Sequence, residues 1–173
     1  RRITTGEAQD YYPRVSPDGR EIAFMSTLSG NQDIWVVPSE PGEARQVTTH
    51  PAQDWQPVWS PDGSWLVFPS ERSGMALWRV KATGEALEPL TEGPAFSPAY
   101  STDGTRVYFV GLLEREGNLW EVLAEGGGER QVTDFVGRRG TLGPLALATD
   151  GEYLYFTWEE YLGDLWVMDV AQE

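Results

Sequence analysis

The chain repeats itself, and that repeat limits what it can fold into more than any other feature. Asp-Gly pairs stand at Asp18-Gly19, Asp62-Gly63, Asp103-Gly104 and Asp150-Gly151, separated by 44, 41 and 47 residues. Five residues after each Gly comes a Phe: Phe24, Phe68, Phe109 and Phe156. Fifteen or sixteen residues after each Gly comes a Trp (Trp35, Trp78, Trp120, Trp166), always preceded by Ile or Leu. A third series pairs an apolar residue with Thr, at Ile3-Thr4, Val47-Thr48, Leu90-Thr91 and Val132-Thr133. Three series in phase define four units of about 43 residues, over about 6–48, 49–91, 92–133 and 134–173.

Each unit reads as four short strands. In the first, residues 13–16 form one strand and Pro17-Asp18-Gly19 supplies the residues a tight turn favours. Residues 21–26 alternate apolar side chains, and residues 33–38 carry Ile34, Trp35, Val36 and Val37 in a row, a run that predicts burial on both faces. A fourth strand follows the Pro41-Gly42 turn at residues 44–48. No segment has helical periodicity. The expected fold is all-β, a β-propeller of four four-stranded antiparallel blades, since units this small must stack to bury a core. The Phe and Trp series are expected to pack blade on blade. The chain starts with a fourth-strand sequence and ends after a third strand, so residues 1–5 are expected to complete the last blade of this copy or of another.

Composition removes whole classes of function. Thirteen Lys and Arg against 27 Asp and Glu give a net charge of −14, which repels phosphate backbones, so nucleic acid is not an expected partner. No apolar run approaches the ~20 residues of a membrane span, so no membrane insertion is expected. The absence of Cys excludes disulfides, thiolate metal sites and Cys nucleophiles. His50 is the single His, there is no Gly-x-Ser-x-Gly elbow, and Gly126-Gly127-Gly128 precedes no helix. These residues predict neither a catalytic site nor a metal or cofactor. Opening on Arg1-Arg2-Ile3 without Met, the chain reads as a piece of something longer.

The motif in the second unit is the fullest: Val47-Thr48, then Asp54-Trp55-Gln56-Pro57-Val58-Trp59-Ser60-Pro61-Asp62-Gly63, then Ser70-Glu71-Arg72-Ser73-Gly74. It resembles the WD40-like blades of TolB-type propellers, which also build the propeller domains of tricorn protease and the prolyl oligopeptidase group. The other units depart from it, with Leu28 at the Arg72 position and Ala95 and Leu142 at the Asp54 position. The resemblance implies a propeller usually closed by six or more blades, against four units here. Three arrangements follow: a closed four-blade ring, two chains sharing an eight-blade ring, and part of a longer propeller. It also implies a periplasmic or extracytoplasmic location, and chemistry, where relatives have it, in a separate domain.

In such a fold the loops entering each blade and those between its second and third strands share the channel face. They gather Asp10, Tyr11 and Tyr12, then Asp54 and Trp55, then Phe96, then Phe135, Arg138 and Arg139, with Arg72, Glu114, Arg115, Glu116 and Tyr161 from the inner loops. Aromatic residues with Arg on a rigid rim are what binding hot spots use. Asp10 and Asp54 are expected to accept backbone hydrogen bonds at the channel mouth, or to contribute to a cation site that Ala95 and Leu142 would leave half empty. Gly137-Arg138-Arg139-Gly140 breaks the repeat and suits capture of an anion or carboxylate. The expected function is a non-catalytic binding module for a protein, peptide or small polar ligand, a sensory or scaffolding part of a larger protein. The alternative is a propeller gating a hydrolase outside this chain.

Overall fold

In a computed structural model of the chain, residues 2–111, 117–135, 137–160 and 164–169 are described, the backbone alone for 144–146 and 164–169. Glu114, Arg115, Glu116, Tyr161 and the Trp166 side chain lie outside the described residues.

Four antiparallel sheets succeed one another, one per repeat, as propeller blades. The first is β1 (Asp10–Val15), β2 (Glu21–Ser26), β3 (Asp33–Pro38) and β4 (Arg45–Gln46), paired in that order. The second is β5 (Val58–Trp59), β6 (Trp65–Ser70), β7 (Ala76–Lys81) and β8 (Glu88–Pro89), with a 3-10 turn over Glu71–Ser73. The third is β9 (Ala95–Tyr100), β10 (Arg106–Gly111), β11 (Leu119–Leu123) and β12 (Arg130–Gln131). The fourth pairs β13 (Thr141–Thr149), β14 (Tyr153–Glu159) and β15 (Asp164–Asp169), with no fourth strand among the described residues.

The three sequence series are one device. Phe24 and Trp35 are cross-strand partners, as are Phe68 and Trp78, Phe109 and Trp120, and Phe156 and Trp166. Because side chains alternate along a strand, this register sends Phe24, Phe68 and Phe109 to the face opposite Ile34, Leu77 and Leu119. All four Phe are buried, at 4%, 0%, 0% and 5% exposure. The Thr series closes the unit: Thr48, Thr91 and Thr133 each accept, through Oγ1 at 2.9 Å, the backbone N–H of Ile34, Leu77 and Leu119, the residue before each Trp. The first three Asp-Gly turns also repeat atom for atom. Ser16 Oγ donates to Asp18 Oδ1 (2.7 Å), which accepts the Arg20 N–H at 3.0 Å, and Gly19 takes φ +74°. Ser60 with Asp62 and Ser101 with Asp103 do the same.

Faces pack in chain order. Ala23, Ile34 and Val36 of the first sheet meet Phe68, Leu66 and Trp59 of the second. Val67 and Leu77 then meet Val107 and Phe109, and Tyr108, Val110 and Leu119 meet Leu154, Phe156 and Trp158. The remaining cluster, Phe24, Trp35 and Val37, packs with Ile3, Ile22 and Ala44 and meets no other sheet among the described residues. Residues 2–5 form no strand among the described residues.

The first strand differs from its expected range: β1 begins at Asp10, not at Pro13. A bulge between Tyr11 and Arg14, with Tyr12 at φ +54°, lets pairing resume on the far side of Pro13, which has no N–H to give. Gln56 and Ser97, each also just before a Pro, repeat this left-handed backbone at +43° and +49°. A non-glycine residue at positive φ is disfavoured, so these three positions store strain where the first three blades begin.

Candidate functional site

Strand direction alone puts the expected site residues at one end of the sheets, opposite the Asp-Gly turns. What they do there varies.

Asp54 and Arg72 withdraw from solvent. Arg72 Nη2 donates to Asp54 Oδ2 at 2.7 Å, with side-chain exposures of 5% and 0%. The expected backbone hydrogen bonds to Asp54 are replaced by this ion pair. Arg72 also lies 5.7 Å from the Phe68 ring centre and 5.4 Å from that of Trp78. Burial pushes the Asp54 carboxyl up, with the buried Asp33 charge adding to it, while Ser70, Thr48 and Arg72 pull the other way. Among the described residues, Asp54 Oδ1 and Arg72 Nε and Nη1 have no hydrogen-bond partner. Trp55 is tied down as well, donating its indole N–H to Gln32 Oε1.

In the first blade no Arg answers Asp10, because Leu28 stands there, 55% exposed. Asp10 and Leu28 line a cavity of about 270 Å³ with Ile3, Phe24 and Val37. Tyr11 and Tyr12 lie beside each other, ring centres 6.3 Å apart, and the Tyr11 hydroxyl donates to Gln9 Oε1 at 3.2 Å. Phe96 is half-buried on β9.

The repeat-breaking loop builds the most open arrangement. Phe135 packs on Trp158 and Phe156, ring centres 4.7 and 5.8 Å apart. Its backbone N–H donates to the buried Asn118 Oδ1 at 2.8 Å, which fixes where the loop departs. The Arg138 guanidinium lies 5.7 Å from the Phe135 ring centre. Gly117, Gly137, Gly140 and Thr141 complete a cavity of about 350 Å³ around Phe135, Arg138 and Trp158. Gly140 has φ +123°, and a Cβ there would run into the Trp158 indole. That indole N–H donates to the Arg139 carbonyl (3.1 Å) and Glu160 Oε1 (3.2 Å), pinning the loop to β14. Arg138 and Arg139 are exposed and enter none of the ion pairs of the described residues, whereas Arg45, Arg72, Arg79, Arg106 and Arg130 each hold a carboxylate.

The structure thus joins Phe135 with Arg138 and Asp54 with Arg72, and it keeps Asp10, Tyr11 and Tyr12 on the first blade. Sequence reasoning missed Trp158 as a wall of the cavity. Its signal was present: a Trp two residues beyond the series Phe156, in the one unit whose entry loop departs from the repeat. Among the described residues no three His, Asp or Glu side chains group to hold a metal ion.

Antiparallel sheets, one per repeat, stacked in chain order define a β-propeller domain. The chain belongs to the tricorn protease N-terminal β-propeller domain family, whose model matches residues 1–110. Among solved structures it is similar to a protein assigned as TolB from Agrobacterium tumefaciens, at 22% identity and a TM-score of 0.81 over 96% of this chain. It spans 64% of that protein's length. A puromycin-hydrolysing peptidase of Mycobacterium tuberculosis is similar over 96% of this chain and 28% of its own, at 18% identity and a TM-score of 0.70. An oligogalacturonate lyase of Vibrio parahaemolyticus shares 15% identity over 88% of this chain and 46% of its own, with a TM-score of 0.63. These likenesses establish the fold. No curated protein sequence matches the chain.

Proposed function

We propose that this propeller is a non-catalytic binding module that holds a protein, peptide or small polar ligand at its channel face, as a sensory or scaffolding part of a larger protein. The observation that carries this reading is the cleft at Arg138, a guanidinium without a carboxylate partner among the described residues, over an aromatic floor between the third and fourth sheets. A fork of N–H donors beside Phe135 and Trp158 suits a carboxylate joined to an apolar or planar group. Rigid sheets hold the cleft in place, so binding orders few side chains. Calorimetric titration of acetyl-Gly-Phe with a free carboxylate, against its C-terminal amide, tests the reading. Arg138→Ala is expected to weaken the acid at least tenfold and leave the amide unchanged; equal affinity for acid and amide would overturn it.

A second reading has its own support, since the family is that of a tricorn protease domain and a puromycin-hydrolysing peptidase has the same fold. In that reading the propeller gates substrate for a hydrolase domain outside this chain. Arg138→Ala in a full-length parent would then change turnover of long peptides more than of dipeptides. The face of the first sheet, which meets no other sheet among the described residues, supports a second copy as a partner, completing an eight-blade ring. The TolB likeness supports an extracytoplasmic location, which cell fractionation tests.

A further inference from the structure

The repeat position just before Ser60 and Ser101 differs between two neighbouring interfaces. At the first, Trp59 fills the gap between sheets and its indole N–H donates to the Arg14 carbonyl at 2.9 Å. At the second, the corresponding residue is Tyr100, and the shorter ring leaves a cavity of about 470 Å³ beside it. Asp62, Trp65, Arg79, Asp103 and Glu125 line this cavity with Tyr100, at the Asp-Gly turn end of the sheets, away from Arg138. The Tyr100 hydroxyl has no hydrogen-bond partner among the described residues, and burial pushes its ionisation well up, so it stays a neutral phenol.

The charge in this cavity is specific. Hydroxyl and backbone N–H donors, Ser60 first for Asp62 and Ser101 first for Asp103, hold both carboxyls below the usual range, so both are charged at neutral pH. Asp103 Oδ2 accepts no hydrogen bond within the described structure. Arg79 is the one cation on the wall, and it is already satisfied: Nη2 reaches Glu88 at 2.7 Å and Nη1 the Ala124 carbonyl at 2.6 Å. Its guanidinium lies 4.6 Å from the Trp65 ring centre, so this wall already carries one guanidinium on an aromatic face. What remains free is carboxylate, a phenol oxygen and ring surface.

We propose that this cavity between the second and third blades binds an organic cation, the ammonium or guanidinium end of a basic side chain or of a free amine. Asp103 and Asp62 receive its N–H groups, the Tyr100 oxygen accepts another, and the Tyr100 ring covers the apolar stem. The volume lies within the range of small-ligand pockets.

Calorimetric titration with agmatine and with the peptide acetyl-Gly-Arg-Gly-amide tests the proposal and separates its two sources. Saturable one-to-one binding of either is expected, tighter for agmatine if the ligand is a free amine and tighter for the peptide if it is a basic protein segment. Tyr100→Trp, which fills the gap as Trp59 does next door, is expected to weaken binding at least tenfold without lowering the melting temperature. Asp103→Asn, which keeps the turn's acceptor oxygen, is expected to weaken it similarly and decides the matter if Tyr100→Trp fails to fold. Binding that is non-saturable, or unchanged in these variants, would overturn the proposal and reduce it to diffuse attraction by a chain of net charge −14.

Discussion

Arg72 and Asp54 stabilise the second blade only as a pair. Removing the guanidinium leaves a carboxylate buried without compensation, so Arg72→Ala is expected to cost about 3 kcal/mol at neutral pH. Denaturant unfolding across pH measures this and gives its sign. The folded-state pKa of Asp54 is raised, so its ionised form opposes folding, and this group's contribution improves as pH falls through that value. The Arg72→Ala deficit is therefore expected to shrink in acid, and a deficit growing in acid would contradict the assignment. The turn aspartates run the other way. Asp18, Asp62, Asp103 and Asp150 are all lowered, so their stabilisation is present above the unfolded pKa and lost as pH falls through the folded one. At this scale the turns and the buried Phe series were legible, because a tight turn demands Asp-Gly and a ladder demands a fixed spacing. The burial of Arg72 was not legible, since an Arg in a Ser-x-Arg-x-Gly loop reads as a rim residue until its partner's depth is known.

Elements are held by pairs that the register creates. The Arg79–Glu88 partners on β7 and β8 reappear with charges exchanged as Glu121–Arg130 on β11 and β12. Either order satisfies the same cross-strand contact. Exchanging both residues, Arg79→Glu with Glu88→Arg, is expected to recover part of what each single reversal loses; a double variant as poor as the sum of the two would show that the pair does not interact. Phe68, fully buried between two sheets, is expected to cost about 3–5 kcal/mol on change to Ala. A loss below about 1 kcal/mol would place it outside the core. The second and third strands of the first unit fall at the expected residues, 21–26 and 33–38, because apolar patterning on both faces fixes them. The outer strand β4 is shorter than expected, two residues in place of five. The bulge that lengthens β1 was hidden, since Pro13 reads as a strand start.

For the molecule as a whole, stacking is one-sided at its start. Sheets two and three are each packed between neighbours, whereas among the described residues the front of the first meets Ile3 and its own Ile22 and Ala44. Hydrogen exchange is therefore expected to protect β6, β7 and β10 more strongly than β2 and β3, and equal protection would mean that something covers the first sheet in solution. Thr4 holds the series position that Thr48, Thr91 and Thr133 use to cap the strand before each Trp, yet among the described residues it caps no strand. The sequence carried the number and order of blades, since each repeat must stack to fold. It did not carry the cleft, which depends on how Phe135, Arg138 and Trp158 meet across two sheets.

The binding reading rests on that cleft, and the indole N–H resonance of Trp158 reports on it directly. In a nitrogen–proton correlation spectrum titrated with acetyl-Gly-Phe, the Trp158 signal is expected to shift and saturate while that of Trp59, two interfaces away, stays fixed. A Trp158 signal that never moves, or that moves only in step with Trp59, would contradict a site at the Arg138 cleft.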